Sequence, residues 1–196
     1  MTPLDELDNG WKWYQAARAS LRRLDRLARK YWNDLPWQGE VALERDNLLG
    51  QLERETVSAD ANSAESRLDD LAIIELFSIF EGIVRTLIAE QVRAVSVSLT
   101  HPMLKAAARN AVEAAEHRSF AEILKSYSQG GHADIAEQVR QVRRYRNWIS
   151  HGRRGKVLPK VEPRTAHDRL RRFLELILPP PPPIAGADPV LPSAIP

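Results

Sequence analysis

The sequence predicts an all-α bundle, and three observations carry that expectation. Apolar residues recur at spacings of three and four along every periodic segment, as one face of a helix requires. No run alternates apolar and polar residues over the length of a strand, and no internal repeat is visible. Capping residues and prolines stand at the ends of the periodic segments, where helices start and stop. With 196 residues, 43% hydrophobic and 28% charged, the chain suits one soluble globular core. The expected division is a single helical domain over 1–178 and a Pro-rich tail over 179–196.

The first helix is expected over 7–35, with Leu21, Leu24, Leu27, Ala28, Tyr31 and Leu35 at helical spacing and Pro36 as its stop. Trp11, Trp13, Trp32 and Trp37 lie in or beside it. On an amphipathic helix such a cluster serves packing, with base stacking as the alternative. A shorter helix is expected over 40–55, with Leu43, Leu48, Leu49 and Leu52 as its apolar side. The polar run Ser58-Ala59-Asp60-Ala61-Asn62-Ser63 reads as a loop, and Asn62 with Glu65 matches a capping box for a third helix. That helix, 64–98, is the longest and most apolar, through Leu71, Ile74, Phe77, Phe80, Val84, Leu87 and Ile88, and is expected to form the centre of the bundle. Glu81 falls on the side of Phe77, Val84 and Ile88, so a carboxylate also points inward.

Thr100 is expected to cap a further helix with Pro102 in its first turn, running through an Ala-rich segment at 105–115. Ser119 and Glu122 suggest another capping box before Phe120, Ile123 and Leu124, and Gly130-Gly131 ends this unit. A helix through Ile135, Val139, Val142 and Ile149 comes next, then a loop over 152–163 bearing Arg153, Arg154, Lys156 and Lys160. The last helix, 165–178, carries Leu170, Phe173, Leu174 and Ile177 on one face, and the prolines from Pro179 to Pro183 stop it. The tail beyond cannot build a core and is expected to be disordered, with a polyproline ligand as the alternative.

The absence of cysteine excludes disulfides, thiolate zinc sites and cysteine nucleophiles, and fits a reducing interior. The N-terminal residues are acidic where a signal peptide would be basic and then apolar, so the expected location is cytoplasmic. Glu75, Glu81, Arg85 and Glu90 interrupt the most apolar segment, which argues against a membrane span. No P-loop or dinucleotide-binding glycine fingerprint is present. His101, His117, His132 and His167 lack metal-site spacing and read as surface or capping residues, so neither metal nor cofactor is expected.

The formal net charge of +2 hides an asymmetry. Between 139 and 172, 12 Arg or Lys residues face only Glu162 and Asp168, on an otherwise acidic chain. A basic block of this kind is the electrostatic footprint of a polyanion site, or else a solvated face with no ligand. Within it lies Arg146-Asn147-Trp148-Ile149-Ser150-His151-Gly152. Arginine presents a fixed fork of donors suited to phosphate, and histidine exchanges protons near neutrality. Together they suggest chemistry on a phosphodiester.

Arg146 occupies the apolar stripe of its helix, where a core-facing helix would carry Leu or Val. Burying a guanidinium costs on the order of several kcal/mol without a carboxylate or an anionic ligand. Glu81 is the expected partner, each charge satisfying the other. Asn147 and His151 stack on one side of the helix in line with Arg144 and Arg140, and Gly152 is placed as a left-handed cap that leaves His151 at the helix C-terminus.

At these residues the chain resembles the HEPN domain family, in particular the prokaryotic HEPN-like nuclease and RiboL-PSP-HEPN groups. The likeness covers roughly 64–178 and rests on the Arg-x4-His spacing of Arg146 and His151, the polar Asn147 and the long helix with Phe80-Glu81-Gly82. It leaves an added N-terminal helical segment without a counterpart. The resemblance implies a HEPN-like bundle and a metal-independent endoribonuclease. It also implies a homodimer in which the motifs of two subunits meet in one cleft. His151 would transfer protons, Arg146 would stabilise the developing phosphate charge, and Asn147 would position one of them. RNA would leave with 2′,3′-cyclic phosphate and 5′-hydroxyl ends, its backbone held by Arg143, Arg144, Arg153 and Arg154. Bacterial proteins of this kind commonly serve as toxins or in antiviral defence, with an antitoxin or another protein as partner. Arg146 and His151 lie about 140° apart around one helix, which a dimer cleft accommodates. The competing reading is a non-catalytic helical module that binds nucleic acid, nucleotide or a protein partner.

Overall fold

Thr2 opens the first helix, α1 (Pro3–Arg26), by a reciprocal cap: its hydroxyl accepts from the Asp5 amide at 3.2 Å and its own amide donates to the Asp5 carboxylate at 2.7 Å. The computed structural model describes residues 2–34 and 53–178, and there the chain is all-helical, with no strand. The helix starts four residues earlier than its apolar spacing alone implies and continues through a π turn at Leu27–Tyr31 and a 3-10 turn at Trp32–Asp34. Leu35, Pro36, Trp37, the Leu43 to Leu52 stripe and the tail over 179–196 lie outside the described residues.

The central helix, α2 (Arg54–Ser96), is 43 residues long and corrects the expected loop at 58–63. Ser58 and Asn62 do not leave the helix, because α1 supplies their partner. The Asp25 carboxylate accepts from the Ser58 hydroxyl at 2.7 Å and from the Asn62 amide at 2.9 Å. Serine and asparagine lower helix propensity by competing for backbone groups, and a tertiary acceptor removes that competition. Antiparallel pairing continues along both helices: Arg18 and Arg22 meet Glu65 at 2.9 and 2.8 Å, and the buried Tyr14 hydroxyl donates to the buried Asp69 at 2.7 Å. At Gly10 the helices approach so closely that a Cβ would lie 2.8 Å from the Ile79 side chain.

After α2 come α3 (Pro102–His117), α4 (Phe120–Lys125), a 3-10 turn at Gly130–His132, α5 (Ala133–Ser150) and α6 (Pro163–Ile177). The His101 ring, rather than Thr100, caps α3 by accepting from the Met103 amide at 3.2 Å. The core joins Leu7 of α1, Phe77 and Phe80 of α2, Phe120 and Leu124 of α4, Val139 and Val142 of α5, and Leu170 and Phe173 of α6. Phe80 meets Phe120 at 5.7 Å and Phe173 at 5.5 Å, both edge to face, the arrangement ring quadrupoles favour. His167 is not a surface residue: it is buried, 2.9 Å from Asp8 and stacked on Trp11 at 5.1 Å. Among the described residues no helix is long and apolar enough to cross a membrane.

Two measurements test this arrangement. Tyr14→Phe removes the donor to a buried carboxylate and should cost about 1–3 kcal/mol in urea unfolding; an unchanged midpoint would show that Asp69 has another donor. The Arg18 and Arg22 guanidiniums hold the Glu65 carboxyl below its usual range, against burial, which raises it. Because the folded pKa is depressed, its stabilisation is complete above the unfolded value and disappears as pH falls through the folded one. The gap between wild type and Glu65→Gln should therefore be open at pH 7 and narrow progressively in acid below pH 4.5; a gap that does not vary with pH would contradict this.

Candidate functional site

Helix α5 buries Ile135, Ala136, Val139, Val142 and Tyr145, and the next position on the stripe, Arg146, brings a cation to the edge of this core. Its guanidinium lies 5.8 Å over the Phe77 ring, and one terminal nitrogen donates to Asn147 Oδ1 at 3.1 Å. Its Nε is shut off from solvent and has no acceptor. No carboxylate pairs with Arg146 among the described residues. Nε1 of Trp148 is likewise buried and unpartnered, with the Trp148 ring set between Tyr145 at 5.7 Å and the Arg153 guanidinium at 5.8 Å.

The expected pair between Glu81 and Arg146 does not form. Glu81 Oε1 instead accepts from Arg85 at 2.6 and 3.0 Å. Arg85 also donates to the Ala115 carbonyl at 2.7 Å and the Arg118 carbonyl at 3.0 Å, so it ties off the end of α3 while lying 5.6 Å over Phe120. The physical reason is proximity: Arg85 stands one turn along the same helix, where pairing with Glu81 requires no distant closure.

The end of α5 places His151. Gly152, at φ +72, donates to the Ile149 carbonyl at 2.9 Å, and Arg153 donates to the Trp148 carbonyl at 2.8 Å. These two bonds make a Schellman turn with His151 as the C-cap, its amide bonded to the Asn147 carbonyl at 3.0 Å. The His151 side chain is exposed. Asn147 therefore contacts both motif residues, Arg146 by its side chain and His151 by its backbone. Arg153 keeps a left-handed backbone at φ +60, unusual for a residue with a Cβ, and its guanidinium pairs with Asp70 of α2.

The rest of the basic block divides into paired and unpaired cations. Arg144 and Arg140 share Glu137 at 2.7 and 3.2 Å. Burial pushes that carboxyl up, but the two guanidiniums together outweigh it and hold it low. Arg153 is engaged by Asp70, whereas Arg143 and Arg154 have no ion pair among the described residues. Sequence reasoning missed Phe77 and Asp70 as neighbours of the motif, since only the packing of α5 on α2 brings them there. Among the described residues, no group of three or more His, Asp or Glu could hold a metal ion. Comparison with protein-family models, with curated proteins and with solved structures found no match.

An arginine retained for a ligand rather than for the fold has a measurable signature. Arg146→Met should leave stability unchanged or raise it by ~1 kcal/mol, because methionine fits the apolar stripe and removes an unpaired charge. A loss of several kcal/mol in urea unfolding would reveal a structural partner. Gly152→Ala should cost about 1 kcal/mol through its left-handed backbone and shift His151 with it; a chemical-shift change confined to residues remote from this turn would contradict that.

Proposed function

We propose that this protein is a metal-independent endoribonuclease of the HEPN type, built around Arg146 and His151 and acting as a homodimer. The observation that carries the reading is Arg146, half-buried with its Nε unpartnered and no carboxylate beside it among the described residues, little more than one turn before an exposed histidine. The accessible part of a guanidinium with no carboxylate partner is suited to an anionic ligand such as a phosphate.

In this mechanism His151 takes the proton from the ribose 2′-hydroxyl as that oxygen attacks the adjacent phosphorus. The bond to the 5′-oxygen then breaks, and protonated imidazole supplies the proton that the leaving alkoxide needs. A 2′,3′-cyclic phosphate and a 5′-hydroxyl result. Arg146 donates to the non-bridging oxygens as charge builds on them. Asn147, already bonded to Arg146, fixes the direction of the fork. Arg146 and His151 are separated by about 140° on α5, so one phosphate contacts both where two copies of the motif face each other or where the last turn before Gly152 loosens. Arg143 and Arg154, without ion pairs among the described residues, are available to the RNA backbone. By the same resemblance, a role as a toxin or defence effector with a protein partner fits such an activity.

The exposed Trp13 and Leu71 on α1 and α2 favour the second reading, a non-catalytic helical module. Cleavage of a labelled RNA in chelator decides between them. Wild type should cleave to cyclic-phosphate ends, and His151→Ala should lose ~10²–10⁴-fold in rate. Arg146→Met should lose ~10²–10³-fold, with circular dichroism and the size-exclusion volume of a dimer retained. Cleavage by His151→Ala at the wild-type rate, or dependence on a divalent ion, would replace this reading with the binding module.

A further inference from the structure

We infer that the cleft between α5 and the start of α6 is a phosphate subsite, which holds the RNA backbone a few nucleotides from the bond broken at His151. The inference rests on the ribonuclease reading for its ligand and on separate residues for its chemistry. The cleft has a volume of about 450 Å³, and its polar lining includes Gln141, Arg144, Tyr145, Lys160, Thr165 and Arg169.

Tyr145 is the informative member. It is only 4% exposed, yet its hydroxyl makes no hydrogen bond among the described residues. Burial holds the ring in place while the hydroxyl, engaged by no protein group among the described residues, opens into the cleft and is placed to donate to a ligand oxygen. Burial, with Asp70 adding to it, pushes this phenol above its usual range, so it remains a neutral donor at physiological pH. With Arg144, Lys160 and Arg169 against one carboxylate, the donors of this lining suit an anion.

The charges agree. Arg169 has a neutral partner, Gln141 Oε1 at 3.0 Å, and keeps its full charge. Arg144 shares its one carboxylate with Arg140. Glu162 is the single acidic residue of the lining and is matched by Lys160 at 3.1 Å. The cleft also borders the beginning of α6, where Glu162 makes no side-chain cap and Pro163 carries no N–H. The amides of Arg164 and Thr165 stand in that first turn, where a helix presents free donors and the positive end of its dipole.

Position along α5 supplies the connection to the proposed chemistry. Arg144 and His151 are seven residues apart, about 20° around the helix and ~10 Å along it. That distance corresponds to about three stacked nucleotides at ~3.4 Å each. A strand following the exposed face of α5 would thus leave one phosphate in the cleft and present another to His151.

The test measures binding of a fluorescein-labelled single-stranded RNA 12-mer to the full chain carrying His151→Ala, by anisotropy across a salt series. Arg169→Gln in that background should weaken binding ~10-fold and reduce the salt slope by about 0.7, the value for one phosphate contact on a single strand. Tyr145→Phe should weaken binding ~3–10-fold with the slope unchanged, because it removes a hydrogen bond and not a charge. Wild-type-like affinity and slope in both variants, each with a native circular dichroism spectrum, would overturn the subsite. Adenosine 5′-monophosphate or inorganic phosphate binding as tightly as the 12-mer would make the cleft a small-molecule site and overturn the RNA assignment. Weakened binding in both variants, alongside a wild-type chain that cleaves no RNA, would keep the subsite and remove only the ribonuclease reading.

Discussion

A helix of 43 residues cannot bury its own apolar face, and the arrangement of the other helices comes from covering that of α2. Phe77 and Phe80 stand at its middle, fully buried, and receive Phe120 from α4 and Phe173 from α6. Fully burying such a ring contributes roughly 1.5–3 kcal/mol, and truncating it removes about 3–5 kcal/mol once the cavity is included. These positions therefore outweigh any single polar contact in the bundle. They also decide where α5 lies, since Val139 and Val142 belong to the same cluster. Arg146 is carried onto the Phe77 ring as the next position of that stripe.

Most of this architecture could be read from periodicity, and the exceptions share one cause. The all-α class, the central helix and the left-handed glycine at 152 all depend on residues within a few positions of one another. The residues at 58–63 are helical because Asp25, more than 30 positions away, accepts from Ser58 and Asn62. His167 is buried because Asp8 and Trp11, at the far end of the chain, enclose it. Glu81 is the opposite case: its partner Arg85 stands four residues along the same helix, a local pairing that the expectation of a distant partner passed over. Local patterns specify the elements, whereas partner choice depends on which elements meet.

The basic block shows the same division at the level of charge. Its excess of cations counts only the residues between 139 and 172, while most compensating carboxylates lie outside that window: Asp8 on α1, Asp69 and Asp70 on α2, Glu137 near the start of α5 and Glu175 near the end of α6. Arg171 alone engages both Asp8 and Glu175. Net positive potential is therefore concentrated where no carboxylate arrives. Exposed members of that remainder, such as Arg154, are ordinary solvated cations. Arg146 differs because it has no carboxylate partner among the described residues and its Nε is shielded and unpartnered, a condition that ordinary surface electrostatics does not produce.

The separation between Arg146 and His151 is also set by α2 rather than by the end of α5. Helix termini fray, and a histidine at a C-cap would ordinarily share that motion. Here Asp70 holds Arg153, whose left-handed backbone closes the Schellman turn immediately after His151 and whose guanidinium covers Trp148. Phe77 holds Arg146 from the same helix, seven residues or about two turns further on and on nearly the same face. A left-handed non-glycine residue costs roughly 1–2 kcal/mol, so the turn persists only where surrounding contacts determine it. One helix thus holds the Arg146 side chain through an aromatic face and the backbone at His151 through an ion pair across the turn beyond it. Pre-organisation of this kind matters most where a group must act at a fixed place on a charged ligand, since rearranging it during reaction would cost the stabilisation it supplies.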